Sequence, residues 1–280
     1  MENLFASTGM AAGYAAHRPP VHPEVLRLAA THQQQRHLGA AGATISAPVG
    51  FEPTCALDVG CGSGVSAKAL RDVLPQTSTV VGLEPAESML RSARAAGMLT
   101  AAVAGRAESL PFASGTFGLI TAAGSLNYTD DLPAFFTEAA RVLHPSSGSL
   151  VVYDFSPGRI MTGDDLLQHW FDKEFMVRYP RAKDNAKFLD PATLGAIIAG
   201  AGSPLAMTWA NEFRIPLMLD YDFYVNYMMT ETNVAYAVAG GASEASIRDW
   251  CRRTLEPMFR GGPKEVLFEG YVAMFAPVSR

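Results

Sequence analysis

Cysteine, charge and long apolar runs are all scarce in this sequence, and each shortage removes a class of explanation. The three cysteines, Cys55, Cys61 and Cys251, are odd in number and form no Cys-x-x-Cys pair. Neither a disulfide framework nor a zinc site is therefore expected; the metal set is none, and the usage suits a reducing compartment. No block of Lys or Arg stands out and the net charge is −5, which argues against nucleic acid as substrate. No apolar run reaches the roughly 18 residues of a membrane span, so no membrane partner is expected. The opening Met1-Glu2-Asn3-Leu4-Phe5 lacks the basic and apolar parts of a leader, and a cytoplasmic location is the expectation. Among the histidines, His22, His32, His37, His144 and His169 have no spacing that singles them out. What the chain does have is apolar mass. Hydrophobic residues make up 49% and charged residues 18% of 280 positions, enough for one large domain or two small ones.

The most informative stretch is Leu57-Asp58-Val59-Gly60-Cys61-Gly62-Ser63-Gly64. Its apolar opening reads as a buried parallel strand. Three glycines in five residues follow, and then Val65 to Leu74 carries helical spacing. Strand, glycine turn and helix open a nucleotide-binding βαβ unit. Glycine permits backbone angles closed to other residues and lets a ligand lie against the main chain. The spacing is Gly-x-Gly-x-Gly, with Val65 where the dinucleotide fingerprint has its third glycine. That fingerprint seats a pyrophosphate on the helix N-terminus. Asp58 at the strand end would repel a phosphate and suits a ligand with an ammonium group.

A second strand, Thr79-Val80-Val81-Gly82-Leu83-Glu84, ends in another carboxylate. Glu84 lies about 20 residues beyond the glycines, where an acidic side chain accepts hydrogen bonds from both ribose hydroxyls of a nucleoside. Pro85 then starts a helix that contains Met89.

These motifs, with Ala107-Glu108-Ser109-Leu110-Pro111-Phe112 and Ala139-Ala140-Arg141-Val142-Leu143-His144-Pro145 in the same order, resemble the class I S-adenosylmethionine-dependent methyltransferases. The branch they are most similar to is the small-molecule group of trans-aconitate and ubiquinone-type enzymes, over residues 54 to 154. The resemblance implies an α/β fold: a Rossmann-like seven-stranded sheet, mostly parallel with the last strand antiparallel, with helices on both faces and a helical lid. It implies four regions: an N-terminal helical cap at 1–50, a cofactor-binding core at 51–155, a substrate lid plus sixth strand at 156–240, and a final helix and edge strand at 241–280. S-adenosylmethionine is the implied cofactor and S-adenosylhomocysteine the product.

The implied cofactor contacts are Asp58, Gly60, Cys61, Gly62 and Gly64 at the turn, then Glu84, Pro85 and Met89. Ala107 and Glu108 in the adenine loop follow, with Ala123 and Ser125 after the fourth strand. Cys61 between glycines is expected as a small apolar lining. The family often has an acidic residue where this chain has Arg106, which leaves the adenine to backbone contacts from Ala107 and Glu108. The N-terminal Tyr14-Ala15-Ala16-His17-Arg18-Pro19 resembles the segment that folds over the cofactor in trans-aconitate-type enzymes. Arg18 would then pair with the methionyl carboxylate, a strong contact when shielded from water, and Tyr14 would cover the sulfonium.

Beyond Asp154 the aromatics cluster, from Trp170 to Tyr236. Asn127, Tyr128, Trp170, Tyr224 and Tyr227 are the expected substrate contacts, with half of the aromatics left to the core. The helix over Asp220 to Thr230 has aromatics on several faces, as if packed below and lining a pocket above. Because the sulfonium is already a good leaving group, a general base is needed only for an acceptor that carries a proton at neutral pH. His17, Tyr128 and Asp154 are the candidates. The aromatic lid favours a small aromatic or heteroaromatic metabolite of secondary metabolism, methylated on C, N or O by in-line displacement. A trans-aconitate-type carboxylate substrate would draw on Arg159, Arg178, Arg181 and Arg214, which lie scattered among apolar neighbours. A nicotinamide-dependent oxidoreductase and a non-catalytic cofactor-binding protein also remain open, and oligomeric state is not readable.

Overall fold

The computed structural model describes residues 17–41, 51, 53–181 and 187–278. The chain divides into two compact units. A core unit takes Pro20–Asp154, Ala186–Glu212 and Gly270–Arg280. A second unit takes Met1–Pro19, Phe155–Asn185 and Phe213–Glu269.

The core unit opens with α1 (Val21–Ala41). A βα alternation follows: β1 (Cys55–Val59), α2 (Val65–Val73), β2 (Thr79–Glu84), α3 (Glu87–Ala95), β3 (Ala101–Ala104), β4 (Leu119–Ala123), α4 (Leu132–Val142) and β5 (Ser149–Phe155). All four strand pairs from β3 to β5 are parallel, in the order β3-β2-β1-β4-β5. Parallel strands covered on both faces read as continuous apolar runs, and four of the five residues of β1 are buried. Polar starts define the helices. Asp131 accepts a hydrogen bond from Ala134 N at the head of α4, and Asp190 accepts one from Thr193 N at the head of α6 (Pro191–Gly200). Each such cap is worth about 1 kcal/mol. The core itself joins Leu57, Ile120, Phe135, Phe136, Leu150 and Phe275, all buried.

Two long strands close the series, β7 (Leu205–Leu219) and β8 (Lys264–Pro277). Each runs through both units. Among the described residues the sheet has eight strands, one more than the family pattern implies. The additional one is β6 (Ile160–Met161), which pairs antiparallel with Leu267 and Val266 of β8. Two residues are too few to show a strand period in a sequence, and only pairing with β8 defines them.

The helices of the second unit are α5 (Leu166–His169), α7 (Tyr221–Met228), α8 (Thr232–Ala239) and α9 (Glu244–Leu255). After α5 the chain widens into a π-helical turn over Trp170–Phe175 and ends at Met176–Arg178. Trp170, Phe171 and Phe175 are all buried there. Trp170 stacks on Phe175 and Trp250, with ring centroids 5.3 and 5.7 Å apart.

Candidate active site

The turn after β1 is built from backbone. Gly60 N and Cys61 N both donate to Leu83 O, at 2.8 and 3.0 Å, tying the turn to the end of β2. Gly60, Gly62 and Gly64 all have positive φ, at 69°, 53° and 86°. Space matters as much as angle at Gly60, where an added Cβ would lie 2.4 Å from Ser125 Cβ. Glu84 completes the turn. Its Oε2 accepts from Gly62 N at 3.1 Å and its Oε1 from Ala86 N at 3.0 Å. Burial pushes the Glu84 carboxyl up, and those two backbone donors pull it back. Glu84 thus acts across 22 residues on the turn itself, a role its spacing alone does not reveal. Met89 on α3 faces the same turn, 3.3 Å from where a Gly62 Cβ would sit, and Pro85 is exposed.

Asp58 does not face a ligand, contrary to expectation. It is 0% exposed. Ser66 Oγ on α2 donates to one carboxylate oxygen at 2.6 Å, and Thr121 Oγ1 on β4 donates to the other at 2.7 Å. Burial raises its pKa to about 6, the Glu84 charge adds to the rise, and the two hydroxyls restrain it. The carboxylate therefore braces three elements beneath the turn rather than meeting an ammonium group. Ser66 and Thr121 passed unnoticed in the sequence, because a short polar residue in a buried element announces no partner. Cys61 is also buried, and the site gains no exposed surface from it. Its Sγ packs against Gly82, where an added Cβ would lie 2.7 Å away.

Ser125 Oγ donates to Val59 O at 2.7 Å, so its side chain secures β4 to β1. In the adenine loop, Arg106 departs from the family pattern with an effect on structure. It donates to Asp130 at 2.5 Å and to Glu108 at 3.4 Å, and Glu108 accepts from Asp130 N at 2.8 Å. Ala107 and Glu108 are half-buried there. Arg141 anchors the loop from α4 by donating to Leu110 O and Phe112 O.

At the ends of β4 and β5 the structure brings three expected residues together. Asn127 Nδ2 donates to Asp154 Oδ2 at 2.7 Å. Tyr128, 43% exposed, follows in a short 3-10 turn over Leu126–Tyr128, and half-buried Ala123 precedes it. The sequence did not single out the neighbouring pair of His22 Nδ1 and Tyr153 hydroxyl, 3.0 Å apart.

The other expected residues belong to the second unit. Tyr14 lies outside the described residues. His17 packs edge-on against Phe223, 6.4 Å between ring centroids. Arg18 donates to Glu231 at 3.1 Å and to Thr230 O at 3.2 Å, and its guanidinium lies 5.6 Å from the Tyr227 ring centre. A protein carboxylate thus occupies the cation expected to hold a ligand's carboxylate. Trp170, Tyr224 and Tyr227 are core residues, exposed 0%, 0% and 1%. Trp170 Nε1 donates to Thr254 at 2.9 Å, Tyr224 hydroxyl donates to Gly158 O at 2.6 Å, and Tyr227 hydroxyl accepts from Gly158 N at 3.3 Å. Side chains with essentially no accessible surface line no pocket. Their buried polar tips need partners, which is why they fall in a satisfied core.

Residues 57–152 match the model of a methyltransferase domain family. Over 125 residues the chain is 32% identical to the demethylmenaquinone methyltransferase of Shouchella clausii, covering 43% of this chain and 53% of that one. Over 94 residues it is 36% identical to the nocamycin O-methyltransferase of Saccharothrix syringae, covering 32% of this chain and 34% of that one. The chain spans between a fifth and about half the length of the curated relatives it matches. A solved structure of a candidate type II methyltransferase from Anaeromyxobacter dehalogenans superposes with a TM-score of 0.56 at 18% identity, over 80% of this chain and 89% of the other, and so shares the Rossmann-like fold. Among the described residues, no group of three or more His, Cys, Asp and Glu could hold a metal, and no helix is long and apolar enough to cross a membrane. Residues 57–152, which carry the glycine turn, the Glu84 strand end and the Asp58 brace, are thus similar to a methyltransferase domain.

Proposed function

We propose that the protein transfers a methyl group from S-adenosylmethionine to a small aromatic or heteroaromatic metabolite, as in secondary metabolism, and releases S-adenosylhomocysteine. The observation that supports this most is the cradle after β1. Three glycines at positive φ present backbone, a side chain at Gly60 would collide with Ser125, and the cradle ends at a half-buried carboxylate, Glu84. Ribose hydroxyls donate to such a carboxylate in nucleosides and dinucleotides alike, but Val65 stands where the dinucleotide fingerprint has its third glycine. The residues present therefore fit a nucleoside better than a dinucleotide. Glu84 would hold the ribose, the backbone from Gly60 to Gly64 the amino-acid part, and Ala107 with Glu108 the adenine.

When bound, S-adenosylmethionine supplies a methyl group on positively charged sulfur. The chain's own task is then to place the acceptor, which can supply about 7–11 kcal/mol of a barrier through positioning alone. The names of two relatives, for methylation of nocamycin and demethylmenaquinone, support a small-molecule acceptor. Because Asp58 is enclosed, Glu84 carries the electrostatic part of cofactor recognition.

Isothermal titration tests the reading. S-adenosylhomocysteine should bind to the wild type and bind at least about tenfold more weakly to E84A, since hydrogen bonds to a charged group contribute about 1.5–3 kcal/mol. NADH binding in place of the nucleoside would refute it and favour an oxidoreductase.

A further inference from the structure

We infer that the Ser63 hydroxyl donates a hydrogen bond to the carboxylate of the cofactor's amino-acid part, beside the first turn of α2. The inference rests on the methyltransferase reading above and deepens it at one atom. It begins with an unsatisfied group. Ser63 is 4% exposed. Among the described residues its Oγ is buried and has no hydrogen-bond partner. A buried hydroxyl that makes no bond destabilises the fold, and native structures keep few of them. This one stands inside the glycine turn, between Gly62 and Gly64.

The groups packed against its two neighbours are carbon. A Cβ at Gly62 would lie 3.3 Å from Met89 Cε, and one at Gly64 would lie 2.7 Å from Met98 Cβ and 3.1 Å from Leu99 Cγ. The nearby polar side chains serve other atoms. Ser66 Oγ donates to Asp58, and Glu84 accepts from the amides of Gly62 and Ala86. Ser63 also stands next to further donors. α2 has Gly64 at its N-cap, at a φ of 86°, and no side chain caps it. The amides of a helix's first turn have no acceptor within the helix, and they form its positive end.

A hydroxyl among such donors is matched to an anion. The cofactor carries one, the carboxylate of its amino-acid part. Its ribose is assigned to Glu84 and its adenine to the loop at Ala107 and Glu108. Arg18 is paired with Glu231 inside the second unit, so in this assignment the core unit supplies the donors itself. Asp58 lies buried on β1, and Ser66 of the first turn of α2 donates to it. Its charge opposes a second anion and weakens the pull of the helix end. A direct donor to the carboxylate, a charge-assisted hydrogen bond, then matters more than the helix end by itself.

The test titrates the full chain calorimetrically with S-adenosylhomocysteine and with S-adenosyl-3-thiopropylamine, the same molecule without its carboxylate. The wild type should bind the first at least about tenfold more tightly, as a hydrogen bond to a charged group implies. Ser63→Ala should lose about tenfold in S-adenosylhomocysteine affinity, hold its affinity for the amine within about threefold, and so narrow the ratio. Ser63→Cys, close in volume but a weak donor, should narrow it as well. The ligand-free Ser63→Ala chain should unfold in urea at a midpoint no lower than the wild type's, since it loses a hydroxyl that bonds to nothing. A wild type that binds both compounds alike, which needs no variant to establish, would overturn the inference. So would a ratio unmoved by Ser63→Ala, or an equal loss for both compounds, which would assign Ser63 to the shape of the turn. Failure of S-adenosylhomocysteine itself to bind would remove the methyltransferase reading and this inference with it. An unmoved ratio with intact S-adenosylhomocysteine binding would sink this inference alone.

Discussion

Replacing Asp58 by Asn removes a charge that the fold holds at an energetic disadvantage. The carboxyl titrates at about 6 in the folded chain against an ordinary 3.8, because it is fully buried and Glu84 lies near. The folded state therefore holds this proton more tightly than the unfolded state does. Its contribution to stability is complete below about 3.8 and is lost as pH rises through about 6. At about 1.4 kcal/mol per unit, the ionised carboxylate lowers stability by about 3 kcal/mol at about pH 8 and by about 1 kcal/mol at about pH 4.5. Asn has nearly the same shape, and the Ser66 and Thr121 hydroxyls can each donate or accept. D58N should therefore be more stable than the wild type at about pH 8, with the advantage falling by about 2 kcal/mol on going to about pH 4.5. Urea unfolding of the ligand-free chain across that range measures it, since a changed midpoint at constant slope reports stability alone. A variant equally destabilised at both ends of the range would refute the reasoning. It would mean that the two hydroxyl donors hold the carboxylate ionised without penalty.

Other outcomes follow from the same structure. G60A combines an unfavourable φ with a collision at Ser125, so S-adenosylhomocysteine affinity should drop at least about tenfold. Calorimetry showing unchanged affinity would mean that the turn does not seat the ligand. Y224F leaves Gly158 O without its buried donor and should lower stability by about 1–3 kcal/mol in urea, with cofactor affinity intact. Loss of cofactor affinity would return Tyr224 to the binding site. R18A and E231A should each destabilise by roughly 2–4 kcal/mol, because each strands a poorly exposed partner, and the double variant by much less than their sum. Additive effects in that cycle would show that the pair is not coupled.

Much of the core unit was legible because its signals are local. Parallel strands buried on two faces must be apolar over four to six residues, and a turn that bends back at positive φ must be glycine. Cys55–Val59, Thr79–Glu84 and the glycines between them therefore read correctly. The second unit was harder. An aromatic side chain carries the same letter whether it lines a pocket or fills a core. Trp170, Tyr224 and Tyr227 were sorted into the core only by partners 66 to 84 residues away in the chain.

The carboxylates show the division most sharply. Sequence alone determined that two acids end adjacent strands around a glycine turn, because strand period and turn chemistry are set by neighbouring residues. Tertiary structure decided that Asp58 turns inward to Ser66 and Thr121 while Glu84 stays half-open over the turn. It also decided that Arg18 is matched to Glu231, 213 residues away. Pairings of that kind depend on which elements pack together, and the energy of a buried charge depends on its surroundings rather than on its place in the chain.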